Sequence, residues 1–486
     1  MRFADLAGKR IAVWGAGREG RAAIDAVRTR LPGQSFDVLC SEEEARELTE
    51  AGAAPLHTIT TPPTVDLLTR YDVVVKSPGV SPYRPPASDA LRAGVRFVSG
   101  TALWFGERGN ARTIAVTGTK GKSTTSALIA HLLRAAGRRV ALCGNIGMPL
   151  LTLLDPPVEP DWWVIELSSY QTRDMGAVPE IAIVLNVYPE HLDWHLGFEN
   201  YARDKLAILG DRDHRPRVAV LGPDVLPDRG GEAKSIGASA PPTVTPAVGV
   251  PVPVGITVGG AEAPTATFGV PDGYHVGEGG VFYGDRLLVG WKDLSLPGRH
   301  NALNVCAALT ALEAVGVDVE TVLPALATFR ALPHRLQPLG TRGGIEYVND
   351  SIATTPHATL AALAFFADRK VTVLVGGHDR GVPWDVFRTA MDVAPVHAVV
   401  TMGANAERIA TALAGLPVPR VLRAEGLAEA VAIARELTPP GGVVLLSPGA
   451  PSFGEFRDYV DRGRTFAALA GFDPDAISSI EGLGIA

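Results

Sequence analysis

The sequence predicts an α/β protein made of parallel sheets with crossover helices. Short runs rich in Val and Ile alternate with Ala/Leu/Arg segments of helical period. Glycine-rich turns follow several of these runs, as is typical of parallel strands that end at a binding site. At 486 residues the chain is too long for one core, and ordinary domain sizes suggest roughly three units.

The first predicted unit covers residues 1–109. Its strand Arg10–Trp14 leads into the turn Gly15–Gly20 and a helix, and a later strand covers Asp72–Lys76. The turn fits a dinucleotide-binding fingerprint, which is a weak signal alone, so an oxidoreductase is the alternative to be tested. An acid that would hold a ribose should follow the second strand, but the segment Val38–Glu42 leaves that role open.

The second predicted unit covers residues 110–331. Strands are expected at Thr113–Thr117, Trp162–Glu166 and Ile181–Leu185, each ending in polar residues. The stretch 223–290 is rich in Gly, Pro and Val and has little helical period. It is expected to form short antiparallel strands attached to the second unit.

The third predicted unit covers residues 332–486. Strands are expected at Val371–Val375, Ala398–Met402 and Val443–Ser447, each followed by or ending in Gly, Ser or Pro. Three glycine-punctuated α/β units in series indicate either three sites or one site shared between units.

Composition limits the classes of partner. Hydrophobic residues make up 46% and charged residues 20%, which is a globular balance. The net charge of −7 gives no footprint for nucleic acid or an anionic membrane. Cys40, Cys143 and Cys306 lie far apart and fit reduced thiols. Neither a secretion signal nor a run of membrane-spanning length is recognisable, so a cytoplasmic location is expected.

The segment Thr117–Thr124 predicts a phosphate-binding loop. It follows a predicted strand and precedes the helical segment Ser126–Ala136. In that context backbone N–H groups surround phosphates, Lys122 supplies a cation and Ser123 offers a hydroxyl to Mg²⁺. Val116 stands where the usual pattern has glycine, so the alternative is a plain strand–turn–helix that binds nothing.

Two further side chains are candidates for the nucleotide metal. Glu166 stands at the end of a predicted strand, and His191 lies in the segment Asn186–Asp193. Phosphoryl transfer needs metal ions and positioned cations more than covalent chemistry from the protein. Taken alone, each residue is more often a solvated or structural one.

Several segments in this order resemble the Mur ligases. The resemblance covers nearly the whole chain and is least clear from 211 to 294. Its motifs are Thr117–Thr124, Glu166–Ser169, Asn186–Asp193, Asp204–Leu206, Gly298–Asn301 with Asn304, Leu332–Arg335 and Asn349–Ser351.

The resemblance implies a three-domain Mur ligase architecture. The first and third domains would be Rossmann-like, binding a UDP-sugar and the amino acid, and the central domain would be a P-loop ATPase with two Mg²⁺ ions. Implied catalytic residues are Lys122, His191, Lys205 and Arg335. Implied metal-binding residues are Ser123, Glu166, His191 and a carbamoylated Lys205. Implied ATP-binding residues are Gly118, Thr119, Lys120, Gly121, Lys122, Ser123, Thr124, Asn301, Asn304, Arg335 and Asp350, and implied UDP-sugar-binding residues are Gly15, Gly17, Arg18, Ser77, Gly79 and Asn145.

The implied chemistry is carboxylate activation. A carboxylate is a poor electrophile at neutral pH, so ATP would first phosphorylate the terminal carboxylate of a UDP-linked muramoyl-alanine. The amine would then displace phosphate through an anionic tetrahedral intermediate, which divalent cations and Lys122 would stabilise. Nothing in the sequence points to a Ser or Cys nucleophile.

The C-terminal segments most resemble the glutamate-adding branch of the family. Enzymes that add D-glutamate have Lys where this chain has Ile352 and Arg380, and Arg and Lys bind carboxylates differently. The combination resembles a smaller branch that adds L-glutamate, which acts with a separate glutamyl epimerase. D-glutamate remains the alternative. Implied glutamate-binding residues are Thr354, Arg380, Ser452 and Tyr459.

Two other functions are weighed against this one. Folylpolyglutamate synthesis is disfavoured because a nucleotide-sugar-like unit precedes the predicted ATPase. A non-catalytic nucleotide-binding regulator is disfavoured by the complete set of implied catalytic residues. The expected partners are UDP-N-acetylmuramoyl-L-alanine and glutamate, and the sequence gives no oligomeric state.

Overall fold

Three mainly parallel sheets follow one another along the chain. The computed structural model describes residues 1–50, 56–211, 213–225, 265–296, 298–330, 332–417, 419–480 and 482–486. Within these ranges, no helix has the length and hydrophobicity that crossing a bilayer requires. The α/β class predicted from the sequence is therefore confirmed.

The first sheet has five parallel strands in the order β3-β2-β1-β4-β5. Strand order reverses between β1 and β4, which opens a crevice at their carboxyl ends. The strands are β1 (Ile11–Trp14), β2 (Phe36–Leu39), β3 (His57–Ile59), β4 (Val73–Lys76) and β5 (Arg96–Val98). The helices are α1 (Arg18–Arg30), α2 (Glu42–Glu50), α3 (Val65–Leu68), α4 (Ala87–Arg92) and α5 (Gly100–Glu107).

The second sheet has the order β11-β10-β9-β6-β8-β7-β21 and is parallel except for β21. The strands are β6 (Thr113–Thr117), β7 (Val140–Gly144), β8 (Trp162–Glu166), β9 (Ile181–Val184), β10 (Val218–Leu221), β11 (Thr265–Thr267) and β21 (Gly484–Ile485). The helices are α6 (Lys122–Ala135), α7 (Ser169–Asp174), α8 (Leu192–His195), α9 (Phe198–Leu206) and α10 (Arg299–Ala314).

The first unit packs onto one face of the second sheet. Trp104 of α5 and Trp163 of β8 are both fully buried, and their ring centroids lie 4.9 Å apart. A single apolar cluster includes β1, α1 and α5 together with β8. Helices α6 and α10 cover the opposite face in a second cluster. Burial on both faces explains why the central strands read as continuous apolar runs.

A small antiparallel sheet follows the second sheet. Its strands are β12 (Tyr274–Val276), β13 (Gly280–Tyr283) and β14 (Arg286–Gly290). This confirms antiparallel strands in the later part of the stretch 223–290. The earlier β11 instead pairs in parallel with β10, and residues 226–264 of that stretch lie outside the described residues.

The third sheet has the order β15-β16-β20-β17-β18-β19. Among its described strands, only the pair β15–β16 is antiparallel. The strands are β15 (Gln337–Arg342), β16 (Ile345–Asn349), β17 (Val371–Val375), β18 (Ala398–Thr401), β19 (Arg420–Arg423) and β20 (Val443–Leu446). The helices are α11 (Pro356–Ala364), α12 (Asp385–Val393), α13 (Ala406–Leu413), α14 (Leu427–Leu437) and α15 (Tyr459–Leu469).

The segment after α15 returns to the second sheet. There β21 pairs antiparallel with the edge strand β7, with Gly484 opposite Leu142 and Ile485 opposite Ala141. The Arg134 guanidinium of α6 donates hydrogen bonds to the carbonyls of Gly482 and Val140 at 2.7 and 2.8 Å. The third unit is therefore joined to the second by this strand as well as by the connection before β15.

Candidate active site

A glycine loop between β6 and α6 forms the centre of the site. Gly118 and Gly121 have φ values of +157° and +86°. A Cβ on Gly118 would lie 2.8 Å from the Leu185 Cβ, and one on Gly121 would lie 2.4 Å from the Asn304 Oδ1. Both positions therefore require glycine, and the backbone N–H groups at the start of α6 stay open to an anion.

Neighbouring residues fix the shape of this loop. The Thr119 N–H donates to the Asn186 carbonyl at 3.0 Å, and the Lys120 N–H donates to the Asn186 Oδ1 at 2.8 Å. Lys122 Nζ donates to the carbonyls of Gly118 and Thr119 at 2.9 and 3.1 Å. Burial lowers the pKa of Lys122, while the carboxylates of Glu166 and Glu190 oppose that shift. Ser123 and Thr124 occupy the first turn of α6.

Glu166 ends β8 and is 1% exposed. Its Oε1 accepts a hydrogen bond from Asn145 Nδ2 at 2.7 Å, whereas its Oε2 is buried without a hydrogen-bond partner among the described residues. A buried carboxylate oxygen without a donor is costly, and a cation would satisfy it. This orphaned oxygen fits the predicted magnesium role of Glu166.

Lys205 of α9 reaches the same loop. It is 2% exposed, and its Nζ donates to the Gly118 carbonyl at 3.0 Å. Burial lowers the pKa of Lys205 well below its ordinary range, and the charge of Lys122 lowers it further. An amine with a lowered pKa carries the free lone pair that carbamoylation by CO₂ requires.

His191 lies just before α8 in a left-handed conformation, with φ of +54°. A positive φ is uncommon for a residue with a side chain, and strained conformations of this kind cluster at functional sites. Burial lowers the pKa of His191, which favours the neutral ring that binds metals.

The remaining ATP-binding candidates come from two units. On α10, Asn304 Nδ2 donates to the Asn301 Oδ1 at 3.3 Å, and Asn304 adjoins Gly121. Asp350 follows β16, where its Oδ2 accepts from the Ser447 hydroxyl at 2.7 Å. The charge of Arg335 contributes to the electrostatic environment of both Lys122 and Asp350. The third unit therefore faces the phosphate loop through Arg335.

The six UDP-sugar candidates line one cleft of about 600 Å³. A Cβ on Gly15 would lie 2.6 Å from the Ser77 Oγ, and one on Gly20 would lie 1.9 Å from the Gly15 carbonyl oxygen. The glycines therefore allow the close approach of the β1 turn, α1 and the loop after β4. The six candidates in this lining are Gly15, Gly17, Arg18, Ser77, Gly79 and Asn145.

Glu44, two residues beyond the segment Val38–Glu42, is an acid that lines this cleft. Its Oε1 accepts from the Ala16 N–H at 3.1 Å, and its Oε2 accepts from the Ser41 N–H at 2.9 Å. Sequence reasoning predicted Asn145 from the second unit, but it missed four other residues that the second and third units contribute to the cleft: Ser168, Tyr170, Gln171 and Asp458. The three residues that follow Glu166 lie in or next to a segment that the sequence analysis had singled out. Nothing in the sequence pointed to Asp458, which immediately precedes α15.

The four glutamate candidates have different surroundings in the third unit. Ser452 lines a cavity of about 280 Å³ at the carboxyl edge of the third sheet, whose described lining contains none of the other three. The Arg380 guanidinium lies 5.9 Å from the ring of Phe453 beside this cavity. Thr354 is exposed before α11. Tyr459 is 39% exposed, and its carbonyl accepts a hydrogen bond from the Ser351 hydroxyl at 2.8 Å.

No cluster of three His, Cys, Asp or Glu side chains suited to a metal is assembled within the described ranges. Proteins usually bind Mg²⁺ through one or two carboxylates plus substrate phosphates.

Fold and site together define a three-unit α/β protein with a glycine loop at the start of a helix on its central sheet. Two family models match the chain: the Mur ligase middle domain at residues 116–225 and the Mur ligase glutamate ligase domain at residues 334–449. The chain belongs to the Mur ligase family, whose members are ATP-dependent amide-forming ligases.

Several relatives match this chain over its whole length. The UDP-N-acetylmuramoyl-L-alanine--L-glutamate ligase of Xanthomonas euvesicatoria is 50% identical over 100% of both chains. Among solved structures, the UDP-N-acetylmuramate-alanine ligase of Thermotoga maritima has a TM-score of 0.58 at 19% identity, covering 95% of this chain and 99% of that one. The MurF ligase of Thermotoga maritima in complex with ADP has a TM-score of 0.52 at 17% identity, with 95% of each chain covered. These structures confirm the three-domain Mur ligase architecture.

Proposed function

We propose that this chain is the ATP-dependent ligase that joins L-glutamate to UDP-N-acetylmuramoyl-L-alanine in the cytoplasmic synthesis of peptidoglycan precursors. The observation that carries the proposal is the meeting of three groups around the phosphate loop. Lys122 and Lys205 both donate to the Gly118 carbonyl, and the charge of Glu166 acts on both of them. The name of the 50% identical relative supports the substrates.

The substrates would divide among three domains, at 1–109, 110–331 and 332–486. The cleft at Gly15 and Ser77 would take the UDP-sugar, because glycine-rich turns at helix N-termini suit pyrophosphate. Asn145 bonds Glu166 and lines the same cleft, so it would meet the muramoyl-alanine end. ATP would lie over Lys122 between α10 and Arg335, and glutamate would approach from the third domain.

Two Mg²⁺ ions would be held by Ser123, Glu166, His191 and a carbamoylated Lys205. When bound, magnesium neutralises charge on the phosphates and on the acyl intermediate. The lowered pKa of buried Lys205 supports carbamoylation. The Glu166 Oε2, which has no donor among the described residues, supports a cation beside it.

The protein's own groups would then act in two steps. A carboxylate oxygen of muramoyl-alanine attacks the γ-phosphorus of ATP, and the bond to ADP breaks. Lys122 and Arg335 stabilise the transferring phosphoryl group. The glutamate nitrogen next attacks the acyl carbon, loses a proton and expels phosphate. Enclosure by the third domain would limit attack by water.

Arg380 and Ile352 bear on the choice of isomer. Arg380 presents a planar guanidinium whose donors have fixed directions, and Ile352 offers no cation at all. One guanidinium would hold a glutamate carboxylate in a different orientation from the one that two lysine ammonium groups would impose. These two departures from the D-glutamate pattern and the name of the 50% identical relative favour the L-isomer. Thr354, Arg380, Ser452 and Tyr459 would bind it, and a glutamyl epimerase would then act on the product.

The isomer is tested by direct assay. Purified protein is incubated with UDP-N-acetylmuramoyl-L-alanine, ATP, Mg²⁺ and either L- or D-glutamate, while ADP release and product mass are measured. The L-isomer is expected to give the faster product formation. A faster reaction with D-glutamate would show that Ile352 and Arg380 do not set the isomer.

The phosphate loop is tested by Lys122→Ala. Loss of a cation that meets the transferring phosphoryl group is expected to lower kcat by at least about 10²-fold. The melting temperature should stay close to that of the wild type. The exposed Lys292→Ala variant is the matched control and should retain full activity. Wild-type ADP release by Lys122→Ala would rule out this location for ATP.

A further inference from the structure

A buried chain of polar side chains connects the first unit to the residue beside Lys205. His195 is fully buried, with Nδ1 2.8 Å from the Asp204 Oδ2 and Nε2 3.0 Å from the Ser169 Oγ. The Tyr83 hydroxyl lies 2.8 Å from both carboxylate oxygens of Asp204 and donates to that group. This hydrogen-bonded network therefore runs from Ser169 through His195 and Asp204 to Tyr83.

These groups have the order of a hydrolytic triad, but they cannot serve as one. Ser169 is 3% exposed and His195 is 0% exposed, so no acyl substrate reaches the serine oxygen. Four aromatic rings enclose the imidazole: Tyr83, Tyr170, Trp194 and Tyr201. A fully bonded buried network of this kind fixes the positions of its members instead.

Two members of this hydrogen-bonded network, Ser169 and Asp204, adjoin the proposed site. Ser169 begins α7, three residues after Glu166. Asp204 immediately precedes Lys205 on α9, and the Thr172 hydroxyl of α7 donates to the Asp204 carbonyl at 2.7 Å. Two bonded links thus join the helix after Glu166 to the helix that carries Lys205.

The remaining member belongs to the first unit. Tyr83 lies on the loop that begins at Ser77 and lines the proposed UDP-sugar cleft. The carboxylate of Asp204 can only accept hydrogen bonds, so Tyr83 and the His195 Nδ1 both donate to it. Asp204 is 4% exposed, and these donors balance the cost of burying its charge.

We propose that His195 is a positioning residue that sets the separation of Glu166 and Lys205 across the phosphate loop. It acts by tying Ser169 to Asp204, and Tyr83 completes the arrangement from the first unit. The inference rests on the proposed function, in which Glu166 and Lys205 hold magnesium beside the phosphate loop. It assigns no substrate contact to His195. Misplacement of reacting groups by about 1 Å can cost as much as 10²-fold in rate.

The test uses variants that delete one polar group each. Ser169→Ala and Tyr83→Phe remove only a hydroxyl, and His195→Phe keeps a ring but removes both bonds. Each is expected to lower kcat by about tenfold or more, while KM for ATP and for the UDP-sugar stays within about twofold. Amide hydrogens of Phe198–Leu206 should exchange faster in each variant, which is measured without substrates.

A cycle of combined variants tests the connection itself. Ser169→Ala and Tyr83→Phe should be non-additive in kcat when His195 is present and additive in the His195→Phe background. Arg84→Ala is the matched control. Arg84 donates to the Asp193 carbonyl across the same two units at 3.0 and 2.6 Å, but it is not a member of the hydrogen-bonded network. It should leave kcat unchanged.

Each other outcome overturns the proposal. Additive effects with His195 present, unchanged kcat, or a rise confined to KM for the UDP-sugar would each do so. If His195→Phe does not fold, the two hydroxyl deletions decide alone through their kcat and their exchange rates. A wild-type protein without ligase activity would instead refute the proposed function, so the two failures are distinguishable.

Discussion

Asp350 shows how burial sets the charge of a single residue. It is 6% exposed, and its Oδ1 and Oδ2 accept hydrogen bonds from the Leu336 N–H and the Ser447 hydroxyl. Burial raises the pKa of Asp350 to about 6, although the Ser447 hydroxyl opposes that rise. At neutral pH the protein therefore holds a buried carboxylate at a cost in stability. Groups with shifted pKa values of this kind are common at ligand-binding sites.

The stability of the protein should depend on pH through this residue. The folded state binds the Asp350 proton more tightly than the unfolded chain does, so stability falls as pH rises from 3.8 to about 6 and is level above that. Asp350→Asn removes this loss, which amounts to roughly 3 kcal/mol. Its melting temperature, relative to the wild type, should rise over that window.

Calorimetry from pH 4 to 8 measures the difference. The exposed acid Asp272 offers the control Asp272→Asn, which should show no such trend. A difference between Asp350→Asn and the wild type that stays constant with pH would contradict the expectation.

At the scale of the element, α6 is bounded by two glycines with different surroundings. Gly121 precedes the helix at φ +86°, and a Cβ there would meet the Asn304 Oδ1. Gly137 follows the helix at φ +75°, and a Cβ there would have no atom of the described residues within 4 Å. Both positions carry the strain of a left-handed backbone, and only Gly121 adds a close contact.

Alanine at the two positions should therefore act differently. Gly137→Ala is expected to cost about 1 kcal/mol from backbone strain and to leave ATP affinity unchanged. Gly121→Ala should cost more, because Asn304 must move, and it should weaken ATP binding. Melting temperature and calorimetric titration with ATP measure both effects. Equal effects on ATP affinity would contradict the placement of ATP at this helix start.

The sequence predicted the elements whose signal is local. The strand Thr113–Thr117 and the strand Val371–Val375 are found at the predicted bounds, because each is a continuous apolar run bounded by turn residues. The helix predicted at Ser126–Ala136 begins earlier, at Lys122, since Gly121 already turns the chain into it. Strand β21 has two residues and no period, so only its partner β7 reveals it.

The site followed the same division. The UDP-sugar candidates Gly15 and Ser77 meet in one cleft because both follow adjacent parallel strands, which a strand pattern predicts. The bond between Asn145 and Glu166 and the burial of His195 depend on packing between segments distant in sequence. The spacing of residues along the sequence does not reveal which distant segments pack together. The order of the motifs implied roles for the residues, but not their contacts or their burial.

At the scale of the whole molecule, a buried ion pair joins the first two units. Lys76 ends β4, is 2% exposed and lies 2.5 Å from an Asp174 carboxylate oxygen at the end of α7. Burial lowers the pKa of Lys76, and the charge of Asp174 opposes that shift. The Trp194 indole also donates to the Gly79 carbonyl at 3.0 Å, which ties the UDP-sugar loop to the second unit.

Removing one partner of this pair should destabilise the junction. Lys76→Met leaves a buried carboxylate with less compensation and is expected to cost about 3–5 kcal/mol. The more exposed pair Arg30–Asp155 also joins these units, at 2.6 Å, so Arg30→Met is the control and should cost at most about 1 kcal/mol. Melting measured by calorimetry compares them, and equal shifts would contradict the difference in burial.

The return of β21 to the central sheet has a mechanical consequence. A body fastened at one place can swing about three axes, whereas a body fastened at two places keeps only the axis that passes through both. The third unit is fastened where the chain enters β15 and again where Gly484 pairs with Leu142. While that pairing holds, the third unit can rotate only about the axis through these two connections, so one angle describes its motion.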